Sequence, residues 1–98
     1  MNYAHECADF QEKYLEMLKQ KSFLELSTLP IKQRVKSPKP LGGWKVFLLK
    51  KEGEHGGIRI EVEGQKRFLV FVTKYTTGFE ILKDETVIED EGYDEELD

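Results

Sequence analysis

The chain has 98 residues and a formal net charge of −4, with 39% hydrophobic and 35% charged residues. This length suits one domain with a modest core, and no apolar run approaches the roughly 18 residues of a membrane span. The N-terminus lacks a basic segment followed by an apolar block, and a single cysteine cannot form an internal disulfide. We therefore expect a cytoplasmic protein with no signal peptide and no membrane partner.

The first part of the chain has the pattern of helices. Apolar residues recur every three or four positions and predict a helix over residues 2–20. In "SFLE", Ser22 takes the N-cap position and Glu25 the third helical position, which is the arrangement of a capping box. A second, short helix is therefore predicted over residues 23–28. Cys7 belongs to the apolar stripe of the first helix, and we expect it to be a core residue rather than a nucleophile.

The rest of the chain divides into a linker, a β-rich region and a tail. Residues 31–43, "IKQRVKSPKPLGG", combine prolines, glycines and basic residues without an apolar period, which predicts a basic linker. Residues 90–98 are mostly acidic with few apolar groups, which predicts a disordered acidic tail. Between them, short runs of β-branched and aromatic residues alternate with turn residues. They predict four strands and a weak fifth, over residues 44–51, 58–63, 66–75, 79–82 and 86–89.

The register of the central hairpins follows from two predicted turns. Gly64-Gln65 has glycine first, as in a type II′ hairpin turn, and the "TTG" sequence at 76–78 supplies the next turn. Side chains alternate between the faces of a strand. The pairing therefore predicts one face beneath the helix, formed by Ile58, Ile60, Val62, Leu69, Phe71, Phe79 and Ile81.

The opposite face is also predicted to be apolar. If the loop 52–57 pairs Lys51 with Ile58, then Phe47 and Leu49 face the core, whereas a one-residue slip exchanges them with their neighbours. A large apolar patch on a monomer usually marks an interface. The alternatives are that the linker or the fifth strand covers this face, or that the sheet closes into a barrel. The predicted interface consists of Trp44, Val46, Leu48, Phe68, Val70, Val72 and Leu82.

Charge is segregated along the chain. Residues 26–51 contain seven basic residues and no acid, and residues 84–98 contain nine acids and no base. With fifteen basic and ten acidic residues, residues 1–83 carry a charge of +5. Basic side chains bind phosphates and aromatic side chains stack on bases, so nucleic-acid binding is the alternative function. Its candidate contacts are Lys45, Lys50, Arg59, Lys66 and Lys74, around Trp44 and Phe68.

No motif indicates catalysis. The sequence "EGEHGG" at 52–57 lacks the spacing of a phosphate-binding loop, and we expect a hairpin loop with His55 exposed. Two histidines and one cysteine offer too few donors for a typical metal site. The carboxylates cluster in the tail, where no pocket would desolvate them. We therefore expect no enzymatic activity, no catalytic residue, no metal and no cofactor.

Together these patterns predict an α+β protein with one domain over residues 1–89 and an acidic tail over 90–98. The domain is helical over 2–29, has its basic linker at 31–43, and continues as a β-meander over 44–89. The N-terminal helix packs on one face of a four- to five-stranded antiparallel sheet. The predicted function is that of a small non-enzymatic interaction module of the inhibitor, immunity or adaptor type. It would bind a partner protein or a second copy of itself through the open sheet face, while the acidic tail regulates access or engages a basic partner.

Overall fold

The computed structural model describes residues 3–89. Within this range, α1 (Ala4–Lys19) and α2 (Phe23–Ser27) precede five strands. These are β1 (Lys32–Val35), β2 (Lys45–Glu52), β3 (Ile58–Phe68), β4 (Phe71–Ile81) and β5 (Val87–Glu89). They form one antiparallel sheet in the order β1-β2-β3-β4-β5. The predicted α+β class, with a helix and an antiparallel meander, is confirmed, whereas the predicted disordered tail lies outside the described residues.

The helices form where the local patterns predict them. α1 buries Cys7, Leu15 and Leu18 against the sheet. α2 starts with the predicted capping box, in which the Glu25 amide donates to Ser22 Oγ at 3.1 Å and the Ser22 amide donates to Glu25 Oε1 at 2.9 Å. Neither of these helices is long and apolar enough to cross a membrane.

The segment predicted as a linker begins with a strand. β1 pairs with β2 along its whole length, and Val35 is buried opposite Val46. Lys32 and Arg34 of β1 point away from the core on the face opposite to Val35, and Lys32 Nζ lies 4.8 Å from the centre of the Phe47 ring. Lysine-rich edge strands are common because charge discourages pairing with other chains. The prediction of a plain linker over 31–43 is therefore wrong for its first part.

The central hairpin turns at a different place from the one predicted. β3 and β4 pair from Ile58↔Ile81 to Phe68↔Phe71, so the turn is Leu69-Val70. The predicted turns at 64–65 and 76–78 are wrong, and both segments lie inside long strands. Gly64 is required by its neighbours, because a Cβ there would lie 2.3 Å from Gln11 Oε1 on α1.

The core lies between α1 and one face of the sheet. The error in the β3–β4 register is an even number of residues, so Ile60, Phe79 and Ile81 face the helix as predicted and are buried. In β2 the slip is one residue, since Glu52 rather than Lys51 pairs with Ile58. The buried apolar residues are Cys7, Leu15, Leu18, Leu26, Val35, Val46, Leu48, Ile60, Val62, Phe79 and Ile81.

Candidate interaction site

The β3–β4 hairpin extends beyond the rest of the sheet. β2 pairs with β3 only as far as Lys45↔Gln65, and β5 pairs with β4 only at residues 79–81. Residues 66–74 therefore form a two-stranded ribbon that projects past the N-terminal end of α1. We call this ribbon the arm. Among residues 3–89, no third strand pairs with either of its strands.

The end of the arm is apolar on every side. The exposed fractions are 67% for Phe68, 76% for Leu69, 83% for Val70, 69% for Phe71 and 48% for Val72. Phe68 and Phe71 pair on the side of the sheet that carries α1, whereas Val72 points to the opposite side. We call residues 68–72 the apolar tip. Apolar surface thus surrounds the end of the ribbon instead of covering one face of it.

The turn at the apolar tip has residues that oppose its geometry. Leu69 has a φ of 55°, in the left-handed region. An L-residue other than glycine pays about 1–2 kcal/mol to adopt this conformation. Two-residue hairpin turns accordingly favour glycine, asparagine and aspartate. The Leu69-Val70 turn is therefore unfavourable, because it strains the backbone and exposes two apolar side chains to solvent.

Cations surround the base of the arm. Lys45, Gln65 and Lys74 are neighbours on adjacent strands, and Lys66 and Arg67 follow on β3. Residues 64–79 contain no acid. We call Lys45, Lys66, Arg67 and Lys74 the basic collar.

The structure separates the five predicted nucleic-acid contacts into two groups. Lys45, Lys66 and Lys74 belong to the basic collar at the base of the arm, where Lys45 and Lys74 share the face opposite α1 and Lys66 lies on the α1 face. Lys50 lies farther along β2, away from the arm, and its Nζ donates to the backbone oxygen of Ser27 at 2.8 Å. Arg59 also lies away from the arm, and its Nε donates to Glu61 Oε2 at 2.9 Å. Only the first group can therefore act together with the arm.

Helix α1 holds the base of the arm. Gln11 is fully buried, and its Nε2 donates to the backbone oxygens of Val62 at 3.0 Å and Tyr75 at 2.9 Å. Its Oε1 accepts a hydrogen bond from Cys7 Sγ at 3.3 Å. Burial also raises the pKa of the Cys7 thiol. One helical side chain thus links both strands of the hairpin just below the point where they leave the sheet.

The predicted interface residues do not form one surface. Phe68, Val70 and Val72 lie on the exposed tip. Val46 and Leu48 are buried beneath α1, so their assignment to the open face is wrong; the one-residue slip in β2 is the cause. The other two also lie away from the tip: Trp44 is half-buried and packs against the core, and Leu82 is half-buried beyond the end of β4.

The sheet face opposite α1 carries a polar cluster. The Glu80 carboxylate is buried and accepts hydrogen bonds from the His55 and Gly57 amides, each at 2.9 Å, and its Oε1 lies 3.0 Å from His55 Nδ1. Burial alone would raise the pKa of Glu80, but the hydrogen bonds from His55 and Gly57 outweigh burial and hold this pKa below its ordinary value. The carboxylate therefore fixes the loop between β2 and β3, with the His55 side chain still more than half exposed.

Within residues 3–89, no group of three or more histidine, cysteine, aspartate or glutamate side chains is arranged to hold a metal ion. Comparison of the chain with models of protein families, with curated proteins and with solved structures gave no match. Among the described residues, the surface features from which we infer a function are the arm, its apolar tip and its basic collar.

Proposed function

We propose that this protein is a non-enzymatic interaction module that inserts the apolar tip of its arm into an apolar groove of a partner protein. The observation that supports this proposal is the exposure of five consecutive apolar residues at a strained turn. Monomeric proteins rarely expose contiguous apolar patches without a binding role. A tip that is apolar on all sides fits a groove better than it fits a flat surface.

The free energy gained by burying the apolar tip alone is too small for tight binding, so other parts of the arm must also contact the partner. Burying its five side chains would contribute roughly 5–10 kcal/mol. Association costs about 4–15 kcal/mol in lost rotational and translational freedom. The tip by itself therefore supports only weak binding. Main-chain hydrogen bonds to the free edge of β4 and contacts to the basic collar would supply the remainder.

These terms define the kind of partner. It would carry an apolar groove with an acidic rim, and a strand that can pair with β4. A second copy of the chain is the alternative partner, since two arms would shield each other's tips. An inhibitor, immunity or adaptor role in a reducing cytoplasm fits this mode of binding, in which the free thiol of Cys7 stays buried.

Nucleic-acid binding is the second candidate function. Three of the predicted lysines belong to the basic collar, at the base of the arm that carries the exposed phenylalanines. Proteins that bend DNA insert apolar side chains between bases while cations contact the backbone. This function would use the same arm but a different part of its chemistry, because phosphate contacts make affinity strongly dependent on salt.

A pair of matched substitutions tests the proposal. Val70 at the tip is 83% exposed and Leu24 on α2 is 73% exposed. Either position should accept lysine with a change in the free energy of unfolding within about 0.5 kcal/mol, because neither is packed. We expect a photo-cross-linking side chain at position 70, but not at position 24, to capture one specific protein from extracts of the source cells.

The captured protein is then purified for quantitative binding. We expect Val70→Lys to weaken its binding at least about a hundredfold, and Leu24→Lys to leave it unchanged. Sedimentation equilibrium of the same variants tests self-association. Equal binding by both variants would contradict the proposal. So would tight binding of a DNA or RNA duplex that weakens steeply with salt and is lost in Lys45→Glu with Lys74→Glu, and this result would favour the nucleic-acid function instead.

A further inference from the structure

A groove beside the base of the arm has the chemistry that the apolar tip needs in a binding site. It has a volume of about 410 Å³ and lies between the N-terminal part of α1 and the loop between β1 and β2. Pockets of roughly 300–1,000 Å³ commonly accept apolar ligands. Its apolar walls include Tyr3, Phe10 and Leu41, and the exposed acids Glu6 and Asp9 line it as well. An apolar groove with an acidic rim is thus present on the molecule itself.

The groove and the arm lie at the same end of the molecule. A Cβ built on Gly42 would overlap the Tyr3 ring, and one built on Gly43 would lie 3.7 Å from Lys66 Cε in the basic collar. The loop that forms one wall of the groove therefore adjoins the base of the arm. The turn at the tip lies four residues beyond Gln65, which is roughly 13 Å at about 3.3 Å per residue.

The tip of an arm cannot enter the groove of its own chain. Strands β3 and β4 pair without interruption from Gln65↔Lys74 to Phe68↔Phe71. The ribbon would have to lose these pairs in order to fold back onto its own base. The occupant therefore comes from another molecule. We propose that the groove binds the apolar tip of a second copy of the chain, and that two copies insert their tips into each other's grooves.

A twofold dimer fills both grooves at once. Two arms that lie side by side and antiparallel place each tip at the base of the other arm, where the groove lies. Each copy then contributes one tip and receives one tip, so the interface is self-complementary. Such an interface closes at two copies, whereas a contact that did not close would extend into a fibre.

Charge favours this pairing. Helix α1 carries four acidic residues and two lysines, whereas residues 64–79 contain three basic residues and no acid. Of the two lysines in the groove, Lys13 is paired with Asp9 at 3.0 Å, and Lys39 opposes the approach of the arm. The arm of one copy therefore has the charge opposite to that of the helix it approaches. Complementary charge of this kind selects a partner and its orientation.

Reciprocal insertion removes the limit that applies to a single tip. Five apolar side chains at about 60–120 Å² each correspond to roughly 300–600 Å² per tip. Two tips and their two grooves would bury roughly 1,200–2,400 Å², which is the size of a stable interface. The loss of rotational and translational freedom occurs once for both insertions. Two reciprocal contacts can therefore hold a dimer that one contact could not.

The dimer would cover the same tip that the proposed function assigns to a partner protein. A partner then competes with the groove of the second copy, and only the monomer is competent to bind it. This regulatory consequence rests on the proposed function, whereas the dimer itself does not.

Disulfide trapping between two variants tests which surface receives the tip. Lys39 lines the groove and is exposed, whereas Leu24 on α2 is 73% exposed and lies outside it. We expect Val70→Cys mixed with Lys39→Cys to form a mixed disulfide at least about tenfold faster than Val70→Cys mixed with Leu24→Cys. The native Cys7 is buried with a raised pKa, so it should not compete. Mass spectrometry identifies the linked chains.

Two results of this experiment would overturn the proposal. One is an equal rate of disulfide formation in the two mixtures. The other is a dominant disulfide between two Val70→Cys chains, which would show that the tips meet each other instead of entering the grooves.

Charge reversal provides a second measurement on chains without added cysteines. We expect Arg67→Glu beside the tip and Glu6→Lys in the groove each to weaken dimerisation at least about tenfold in sedimentation equilibrium. In an equimolar mixture, the new acid of one variant faces the new lysine of the other, and the second site keeps its native charges. The mixture should therefore form a heterodimer with nearly native affinity. The matched change Glu54→Lys, in the loop at the opposite end of β3, should leave dimerisation unaltered.

The same measurement can overturn the dimer. A native chain that stays monomeric at about 1 mM would do so, and so would a mixture that associates no more tightly than the separate variants. These experiments contain only this protein, so insertion of the tip into a partner protein would remain untouched by either result. Equal partner binding by Val70→Lys and Leu24→Lys would instead contradict the proposed function and leave the dimer in place.

Discussion

Replacing Gly64 by alanine tests how α1 fixes the base of the arm. In a strand interior, alanine is ordinarily preferred to glycine by about 0.5–1 kcal/mol, and the φ of Gly64 lies outside the left-handed region. The added Cβ, however, would lie 2.3 Å from Gln11 Oε1 and 2.8 Å from Cys7 Sγ. Steric overlap therefore decides the sign, and we expect destabilisation.

The magnitude follows from what the Gln11 side chain loses when it moves. Its hydrogen bonds to the oxygens of Val62 and Tyr75 would break, at about 0.5–1.5 kcal/mol each. Overpacking adds about 1–3 kcal/mol, and the gain in strand preference offsets part of the total. We expect Gly64→Ala to lower the free energy of unfolding by about 2–4 kcal/mol. In urea this corresponds to a decrease of about 1–2 M in the midpoint at unchanged slope.

A double-mutant cycle isolates the cause. Gln11→Ala with Cys7→Ala removes both side-chain atoms that the new methyl group would strike, so Gly64→Ala should cost less than about 1 kcal/mol in that background. Gly64→Ala and this background should thus be strongly non-additive. A Gly64→Ala variant that is neutral or stabilising in the native chain, or that costs the same in both backgrounds, would show that these side chains of α1 do not limit the space at position 64.

Two other predictions concern the core and its dependence on pH. Phe79→Ala should lower the free energy of unfolding by about 3–5 kcal/mol because Phe79 is fully buried. Phe71→Ala on the exposed arm should change this free energy by less than about 0.5 kcal/mol. Similar costs for the two variants in urea unfolding would contradict a projecting arm. Burial raises the pKa of Glu80, but the hydrogen bonds from His55 and Gly57 outweigh burial and lower this pKa from 4.5. The carboxylate therefore stabilises the fold at neutral pH, and this stabilisation is lost as pH falls through the folded-state pKa. Glu80→Gln should therefore destabilise the protein at pH 7 and flatten the fall in unfolding free energy below about pH 4.5, and parallel pH profiles for the two proteins would count against this account.

The features that were predictable from sequence depend on neighbours along the chain. The capping box of α2 involves residues three apart, and the apolar stripe of α1 repeats every three or four residues. The faces of Ile60 and Phe79 follow from the two-residue period of strands. That period tolerates an even error in register, so this part of the core was predicted despite the misplaced turn.

The features that were missed depend on contacts between distant residues. Gly64 has the sequence signature of a turn, yet it is glycine because Gln11 packs against it from α1. Leu69-Val70 has no turn signature at all. In β2, both Val46 and Phe47 are apolar, so composition does not indicate which of them faces the helix. The run over residues 68–72 is apolar on both faces, but the prediction that Leu69 and Phe71 lie beneath the helix is wrong, because the misplaced turn hid the fact that both residues belong to the exposed end of the hairpin.

The order of the strands has a consequence for how the chain is made. Within residues 3–89, every β-pairing joins strands that are neighbours in sequence, so each strand can pair soon after it leaves the ribosome. α1 is synthesised before the strands, but its anchor residue Gln11 binds partners that lie 51 and 64 residues later in the chain. The apolar stripe of α1 therefore stays exposed to solvent until β4 has been synthesised. Its docking closes the core and is the step at which a nascent chain is most vulnerable to aggregation.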